Sequence, residues 1–242
     1  MNNYEIINSQ VIFVYQRALN IRKRQFEFED ALKGLFKVPF VNIAIPDDQD
    51  GNIPRFEASS KHGFSKLQVS QFRTNLITNF EDKYRIDVDL IKGYLSERIP
   101  KLKRILKQEK SNFVAFIIEL GFQIDAQDKI NNILKRYSGA NCINEGTNNF
   151  SISYSREYKE DYYINVKCSK YTEGKFKFED GRMVSVGDEQ KNGISVILDI
   201  NSKLAHNKKK EYDFDIVDSL EKETFEILKT YKLEDYLQGN IN

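Results

Sequence analysis

Short apolar runs separated by polar turns recur along the first half of the chain and predict β-strands. Residues 11–15 are continuously apolar, and residues 41–45 alternate before they end at Pro46. The stretches 55–59 and 66–72 follow the same rule and predict a hairpin. Between the first two runs the apolar spacing is helical, with residues at Phe28, Ala31, Leu32 and Leu35.

A longer helical segment closes this half of the chain. Its apolar residues step by three or four positions and share one face: Ile91, Leu95, Ile99, Leu102 and Leu106. Pro100 lies inside the segment, and a proline removes a helical hydrogen bond. We therefore expect either a kink or two consecutive helices.

The second half of the chain repeats this order of elements. Residues 113–122 predict a strand, Asp125 predicts a helix N-cap, and Gly139 predicts the end of that helix. Three or four further strands are expected at 150–154, 162–168, 175–178 and 194–200. A last helix is expected from about Phe214 to just before Gly239.

Together these patterns predict an α+β protein with a largely antiparallel sheet and helices on one face. The order strand, helix, meander, helix occurs twice, which suggests two similar halves, residues 1–110 and 111–242, or a single domain built from both. No flexible linker lies between residues 108 and 113, so we expect the halves to share one core.

The distribution of charge along the chain adds more to this interpretation than the overall composition does. Of the 242 residues, 40% are hydrophobic and 30% are charged, as in a folded globular protein, and the net charge is only +1. Residues 1–110 carry 19 Lys/Arg and 14 Asp/Glu (+5), whereas residues 111–242 carry 18 and 22 (−4). Such a split could orient two copies head to tail or make the first half an anion-binding surface.

The cysteines and the N-terminus bear on the cellular compartment. Cys142 and Cys168 are too few for a disulfide framework or a structural zinc site, so we interpret both as free thiols. The first residues lack the features of a signal peptide, and the most apolar run, residues 113–120, is too short to cross a bilayer as a helix. We expect a cytoplasmic protein that does not enter a membrane, without a cofactor or a metal.

Three residues have the spacing of a catalytic signature. His206, Lys208 and Asp213 match the phospholipase D type, in which a histidine attacks phosphorus and a lysine neutralises the phosphate oxygens. That signature requires a strand, whereas the intervening residues here are mostly charged. The alternative is a solvated loop before the last helix, with Asp213 or Asp215 as its N-cap. We keep the three residues as catalytic candidates and favour a protein without enzymatic activity.

Two acidic patterns resemble metal sites incompletely. Residues 46–57 follow the spacing of a calcium-binding EF-hand loop, but Pro46 replaces its first ligand. Asp47, Asp161 and the Glu173–Lys175 stretch include the residue types of a metal-dependent nuclease, but they are distant in sequence. We therefore predict no metal site.

A basic cluster lies at the end of the proline-interrupted helical segment and just beyond it. Lys103, Lys107 and Lys110 share one side of a helix, and Arg104 is adjacent to them. Such a face could contact nucleic-acid phosphates, and it belongs to the positively charged half. The aromatic residues that single-strand binders interleave are missing, and a solvated helix surface explains the same pattern.

Several short stretches carry a family resemblance. They are Pro54-Arg55-Phe56 with residues 66–72, residues 193–200, Phe225-Glu226 and Leu237-Gln-Gly239. They resemble a sporadically distributed family of uncharacterised bacterial proteins of about this length, which tends to begin with a proline-led strand where this chain has residues 8–13. The family has no established activity, so the resemblance implies no catalytic residue. Its members look like accessory components of mobile or defence-type gene clusters, which implies a role in binding a partner.

The sequence therefore favours a non-enzymatic module that binds a protein partner or its own copy. A nucleic-acid-binding component is the first alternative, and a phosphodiesterase or nuclease is the second.

Overall fold

The computed structural model describes residues 4–62, 64–124, 126–139, 150–174, 176–179, 182–185 and 191–241. Its strands are β1 (Glu5–Tyr15), β2 (Val41–Asn42), β3 (Phe56–Ser59), β4 (Ser65–Val69), β5 (Arg73–Asn79), β6 (Ser111–Gln123), β7 (Ser151–Tyr158), β8 (Tyr162–Glu173), β9 (Phe176–Glu179), β10 (Arg182–Ser185) and β11 (Lys191–Asn201). Its helices are α1 (Gln25–Ala31), α2 (Val88–Ser96), α3 (Ile99–Leu106), α4 (Gln127–Ser138), α5 (Lys203–Asn207), α6 (Ile216–Thr230) and α7 (Leu233–Gln238).

Strands from both halves form one antiparallel sheet, so the predicted α+β class is confirmed. Its order is β2-β3-β4-β5-β1-β6-β11-β8-β7, and β9 pairs with β10 in a separate hairpin between β8 and β11. In each half the first strand pairs with the last strand of the following meander, β1 with β5 and β6 with β11. The two first strands, β1 and β6, pair with each other at the centre of the sheet. The strands of both repeats therefore belong to one continuous sheet.

One face of this sheet carries the core. Along the central strands every second side chain is fully buried, as in β1 at Val11 and Phe13 and in β6 at Phe116 and Ile118. Buried residues from the helices join the same continuous cluster. Phe225 of α6, for example, lies edge-on against Phe116, with ring centroids 6.1 Å apart. Cys168 also belongs to this cluster as a buried free thiol, and its burial raises its pKa to about 12, whereas Cys142 lies outside the described residues.

The helix boundaries follow local sequence signals. Pro100 is at the start of α3 and separates it from α2, which confirms the expected pair of consecutive helices. Gly139 and Gly239 end α4 and α7 in the left-handed conformation, where glycine carries no Cβ penalty. The expected N-cap of α4, Asp125, lies outside the described residues. The last helix is two helices, because the carboxylate of Asp235 accepts the backbone N–H of Lys232 at 2.8 Å and starts α7.

Three strands differ from the sequence prediction. β1 begins six residues earlier than expected, at Glu5, and β5 was not predicted at all. Both contain inward polar residues, and these are buried at Ser9, Thr74 and Thr78. Pairing on both edges satisfies their backbone, so a strand forms without an apolar pattern. The strand expected at 41–45 is only the two-residue edge strand β2.

Ion pairs connect the two halves of the chain. Lys103 of α3 lies 2.8 Å from Asp215 and 2.6 Å from Asp218, both at the start of α6. At the opposite end of the sheet, the Arg85 guanidinium donates to both carboxylate oxygens of Glu173, at 2.5 and 2.8 Å. Cations of the first half thus pair with carboxylates of the second half within the same chain. Lys191 of the second half pairs in turn with Glu5 and Asp82 of the first half, so ion pairs join the halves in both directions.

The contrasting surroundings of two glycines allow a test of the sheet register. Gly193 of β11 lies so close to β6 that a Cβ there would clash with the carbonyl oxygen of Phe122, and it would also stand 2.7 Å from the Tyr171 ring. Gly93 of α2 has no neighbouring atom within 4 Å of such a Cβ. We expect Gly193→Ala to lower the free energy of unfolding by about 1–3 kcal/mol through overpacking. We expect Gly93→Ala to raise it by about 1 kcal/mol through helix propensity.

Urea denaturation of the two variants and the wild type measures both effects. A Gly193→Ala protein as stable as the wild type would contradict the pairing of β11 with β6 in this register.

Candidate functional site

The predicted catalytic residues make separate contacts. His206 is exposed on α5. The ammonium group of Lys208 donates to the carbonyl oxygen of Glu160 at 2.8 Å. The carboxylate of Asp213 accepts the backbone N–H of Asp215 at 2.9 Å. His206 thus lies on α5, whereas residues 208–213 form a loop before α6, with Asp215 at the N-cap position.

The carboxylates considered for a nuclease site each pair with a different cation. Asp47 lies 3.0 Å from Arg22, and Glu173 is bound by Arg85. Asp161 accepts hydrogen bonds from Lys210 and Tyr212, which lower its pKa. Within the described ranges, no group of three His, Cys, Asp or Glu side chains is placed to hold a metal ion.

The acidic turn resembling a calcium loop folds onto itself. The carboxylate of Asp50 accepts both the backbone N–H and the side-chain amide of Asn52, each at 3.0 Å. Glu57, which would be the last ligand, lies on β3 and contacts Lys66 at 2.8 Å. These contacts are those of a polar turn between strands.

Acidic residues of the second half lie beside the predicted nucleic-acid-binding cluster. Burial of Lys103 opposes its charge, but the hydrogen bonds to Asp215 and Asp218 outweigh this effect and raise its pKa. Lys110 lies 3.6 Å from Glu211. Arg104 and Lys107 line a groove of about 240 Å³ together with Asp213 and Glu109. The positive field of the four predicted residues is therefore partly neutralised, and their role in binding nucleic acid stays a prediction.

The sheet face opposite the helices, named here the open face, is the most extensive candidate surface. Most of its outward side chains in the central strands are only partly buried, although Ala115 and Ser195 are buried, and they are absent from the core cluster. A set of apolar side chains runs across β5, β1, β6 and β11, and we name it the apolar band: Ile12, Val14, Ile77, Phe113, Ala115, Ile117 and Ile197.

The strand register makes the apolar band continuous. Val14 lies directly opposite Phe113, and Ile12 lies directly opposite Ala115. Ile117 is the next outward residue of β6 after Ala115, and it lies diagonally opposite Ile197 of β11. Diagonal neighbours across an antiparallel pair are about 7–8 Å apart, within reach of long side chains. The band is therefore one surface shared by both halves of the chain.

Two carboxylates adjoin the apolar band, and neutral groups hold both of them. Glu119 of β6 accepts hydrogen bonds from the side chains of Asn8 and Ser195. Asp199 of β11 accepts them from Asn165 at 2.8 Å and, through its other oxygen, from Asn201 at 3.1 Å. Neither carboxylate forms an ion pair within the described part of the chain, although Arg73 and Lys167 lie on the same face, opposite Val14 and Ile197.

A groove of about 440 Å³ runs along the open face beside Asp199. Its walls include Ile117, Ile197, Asn165 and Ser155, and Lys167 stands at its rim. The volume lies in the range of about 300–1,000 Å³ that ligand pockets occupy. Burial raises the pKa of the Asp199 carboxyl above its ordinary value, although the hydrogen bonds from Asn201 and Asn165 act in the opposite direction. A partly buried acid in a groove is a marker of functional sites.

This surface was not predicted from the sequence, although the sequence contains a signal for it. Glu119 and Asp199 are the single acidic residues inside two of the most apolar runs, 113–122 and 194–200. A carboxylate within such a run must face away from the core or be paired there. The alternation of each strand places it outward, but only the strand order brings the two carboxylates to neighbouring strands.

Comparison with protein-family models gives no match for this chain, and comparison with curated proteins gives none either. Among the described helices, none combines the length and the apolar character needed to span a bilayer.

The environment of Asp199 predicts a pH-dependent effect of its replacement. Because its pKa is higher in the folded protein than the value of about 3.9 in the unfolded chain, folding favours the protonated form. The stability that this provides is present below the unfolded pKa and is lost as the pH rises through the folded pKa. The Asp199→Asn variant lacks this titrating group, so its stability does not fall in this way as the pH rises. We expect the free energy of unfolding of the variant, relative to wild type, to increase between about pH 4 and about pH 7.

Urea denaturation at several pH values measures this difference, and Asp48→Asn, at an exposed turn position, is the matched control. A difference that stays constant or falls with rising pH would contradict the interpretation of Asp199 as a carboxylate destabilised by burial.

Proposed function

We propose that this protein is a non-enzymatic module that binds another protein through the open face of its sheet. The observation that carries the proposal is the apolar band, which both halves build and which remains partly exposed in the described structure. Contiguous apolar surface bordered by polar residues is typical of protein-binding sites. The band has such a border, since Glu119, Asp199 and their amide and hydroxyl donors adjoin it.

The charge of the open face supports a protein partner rather than a nucleic acid. Glu119 and Asp199 lie in the middle of the central strands, whereas Arg73 lies opposite Val14 and Lys167 lies opposite Ile197 on the same face. The charge of this face is therefore mixed, and it lacks the concentrated positive field that phosphate binding uses. The basic cluster of α3 is elsewhere, and Lys103 there is engaged by Asp215 and Asp218. A partner with apolar and cationic side chains fits the open face better.

The absence of a shared contact among the catalytic candidates supports the non-enzymatic part of the proposal. Lys208 and Asp213 contact different neighbours, His206 is exposed, and the carboxylates of the nuclease hypothesis have separate cations. From the resemblance alone, we further propose a cytoplasmic bacterial protein that acts as an accessory component of a mobile or defence-type gene cluster.

A pair of matched variants tests the open face. Ile12→Lys places a cation at the centre of the apolar band, and Ile86→Lys makes the same change at a position 73% exposed and outside the sheet. Proteins captured from the native host by tagged wild type are identified and purified, and their affinities for all three forms are measured by calorimetry. We expect Ile12→Lys to weaken binding by about tenfold or more, and Ile86→Lys to leave it unchanged.

Equal affinities of the two variants would overturn the assignment of the open face, and a wild type that binds none of the purified candidates would overturn the proposal itself. Light scattering on the wild type adds a further outcome. A dimer that Ile12→Lys dissociates would mean that a second copy, and not another protein, occupies the open face.

A further inference from the structure

The groove beside Asp199 combines a carboxylate with an apolar wall. Asp199 points outward from β11, between Asn165 on β8 and Ile117 on β6, which are its direct neighbours across the strands. Ile117 and Ile197 line the same groove. A guest that fills it must therefore bring both an aliphatic portion and a group that complements a carboxylate.

The donors around Asp199 are fixed by further hydrogen bonds. The side-chain carbonyl of Asn165 accepts the hydroxyl of Ser155, and that of Asn201 accepts the backbone N–H of Lys203 at 3.2 Å. Their amide groups are thereby directed to the two oxygens of Asp199. Each carboxylate oxygen has two acceptor sites, so one on each oxygen is left for a guest. The carboxylate is held in place before any partner arrives.

Asp199, like Glu119, differs in its charge balance from the sheet carboxylates that have a cationic partner. Glu57 pairs with Lys66, and Glu173 pairs with Arg85. In the described ranges, no lysine, arginine or histidine nitrogen lies within ion-pair distance of Asp199. Lys167 stands at the rim of the groove, but in the sheet it lies opposite Ile197 and its side chain is exposed.

We infer that the groove around Asp199 receives the cationic side chain of an arginine or lysine from the protein partner, an inference that rests on the proposed function of the open face. The methylene groups of the guest pack on Ile117 and Ile197, while its charge reaches Asp199. Arginine is preferred over lysine, because a guanidinium can donate to both carboxylate oxygens at once. The open face thereby selects partners that present a basic residue beside apolar ones.

A small probe tests this inference without the partner. N-acetyl-arginine methylamide is titrated into the ¹⁵N-labelled full chain, and the side-chain amide signals of Asn165 and Asn201 are followed by NMR. The neutral isostere, N-acetyl-citrulline methylamide, is titrated in parallel. We expect saturable shifts of both amide signals with the arginine probe and none with the citrulline probe.

Three variants complete the experiment. Asp199→Asn is expected to lower the affinity for the arginine probe by about tenfold or more. The exposed control Asp48→Asn is expected to leave that affinity unchanged. Lys167→Gln is expected to strengthen binding of the arginine probe, because it removes from the rim of the groove a positive charge that repels the cationic probe. Urea denaturation confirms that each variant is folded before it is titrated.

Two results would overturn the inference: equal responses to the arginine and citrulline probes, or full affinity of folded Asp199→Asn for the arginine probe. The absence of saturable shifts up to the solubility limit of the probe would overturn it as well. Each of these results leaves the effect of Ile12→Lys on partner binding unaffected, so failure of the groove and failure of the open face can be distinguished.

Discussion

The antiparallel pairing of β1 with β6 is the interaction on which the rest of the molecule depends. It joins the first strands of the two halves over ten paired positions, from Glu5 with Gly121 to Tyr15 with Ser111. Side chains alternate between the faces of a sheet, so a slip of one residue would turn Val11 and Phe13 out of the core. The register of this single pair therefore determines which side chains face the core and which lie on the open face. It also brings Ile12 beside Ala115 and makes the apolar band continuous.

Two carboxylates of the open face are held without a cation, in contrast to the carboxylates of the ion pairs. The pair of Lys103 with Asp215, for example, joins α3 to α6. On the open face, Glu119 and Asp199 are held by amides and hydroxyls, which satisfy hydrogen bonds without cancelling charge. A carboxylate stabilised in this way keeps its attraction for an incoming cation. The side chains of the open face can thus be ordered in the free protein while its two carboxylates still lack a cationic partner.

The sequence pattern was sufficient for the fold class and for most elements, because hydrophobic periodicity reports which side of an element is buried. It failed at β5 and at the start of β1, where Thr74, Thr78 and Ser9 are buried in place of apolar residues. The open face was not predictable, since it depends on which strands become neighbours. Glu119 and Asp199 are distant in sequence, and only the adjacency of β6 and β11 places them on one surface. The basic cluster was recognised, but its acidic neighbours, Asp215 and Asp218, come from a helix more than one hundred residues later.

The central position of β1 has a consequence for biosynthesis. The strands β1 to β5 can pair among themselves as soon as the first half leaves the ribosome, but the other edge of β1 must wait until β6 has been synthesised. During that interval β1 is an edge strand, and its backbone N–H and C=O groups are open to any other extended chain. Nascent chains on neighbouring ribosomes carry the same edge and the same complementary strand. Exchange of β6 between two such chains would give an intertwined dimer, so the rate of translation between residues 80 and 123 can influence the yield of monomer.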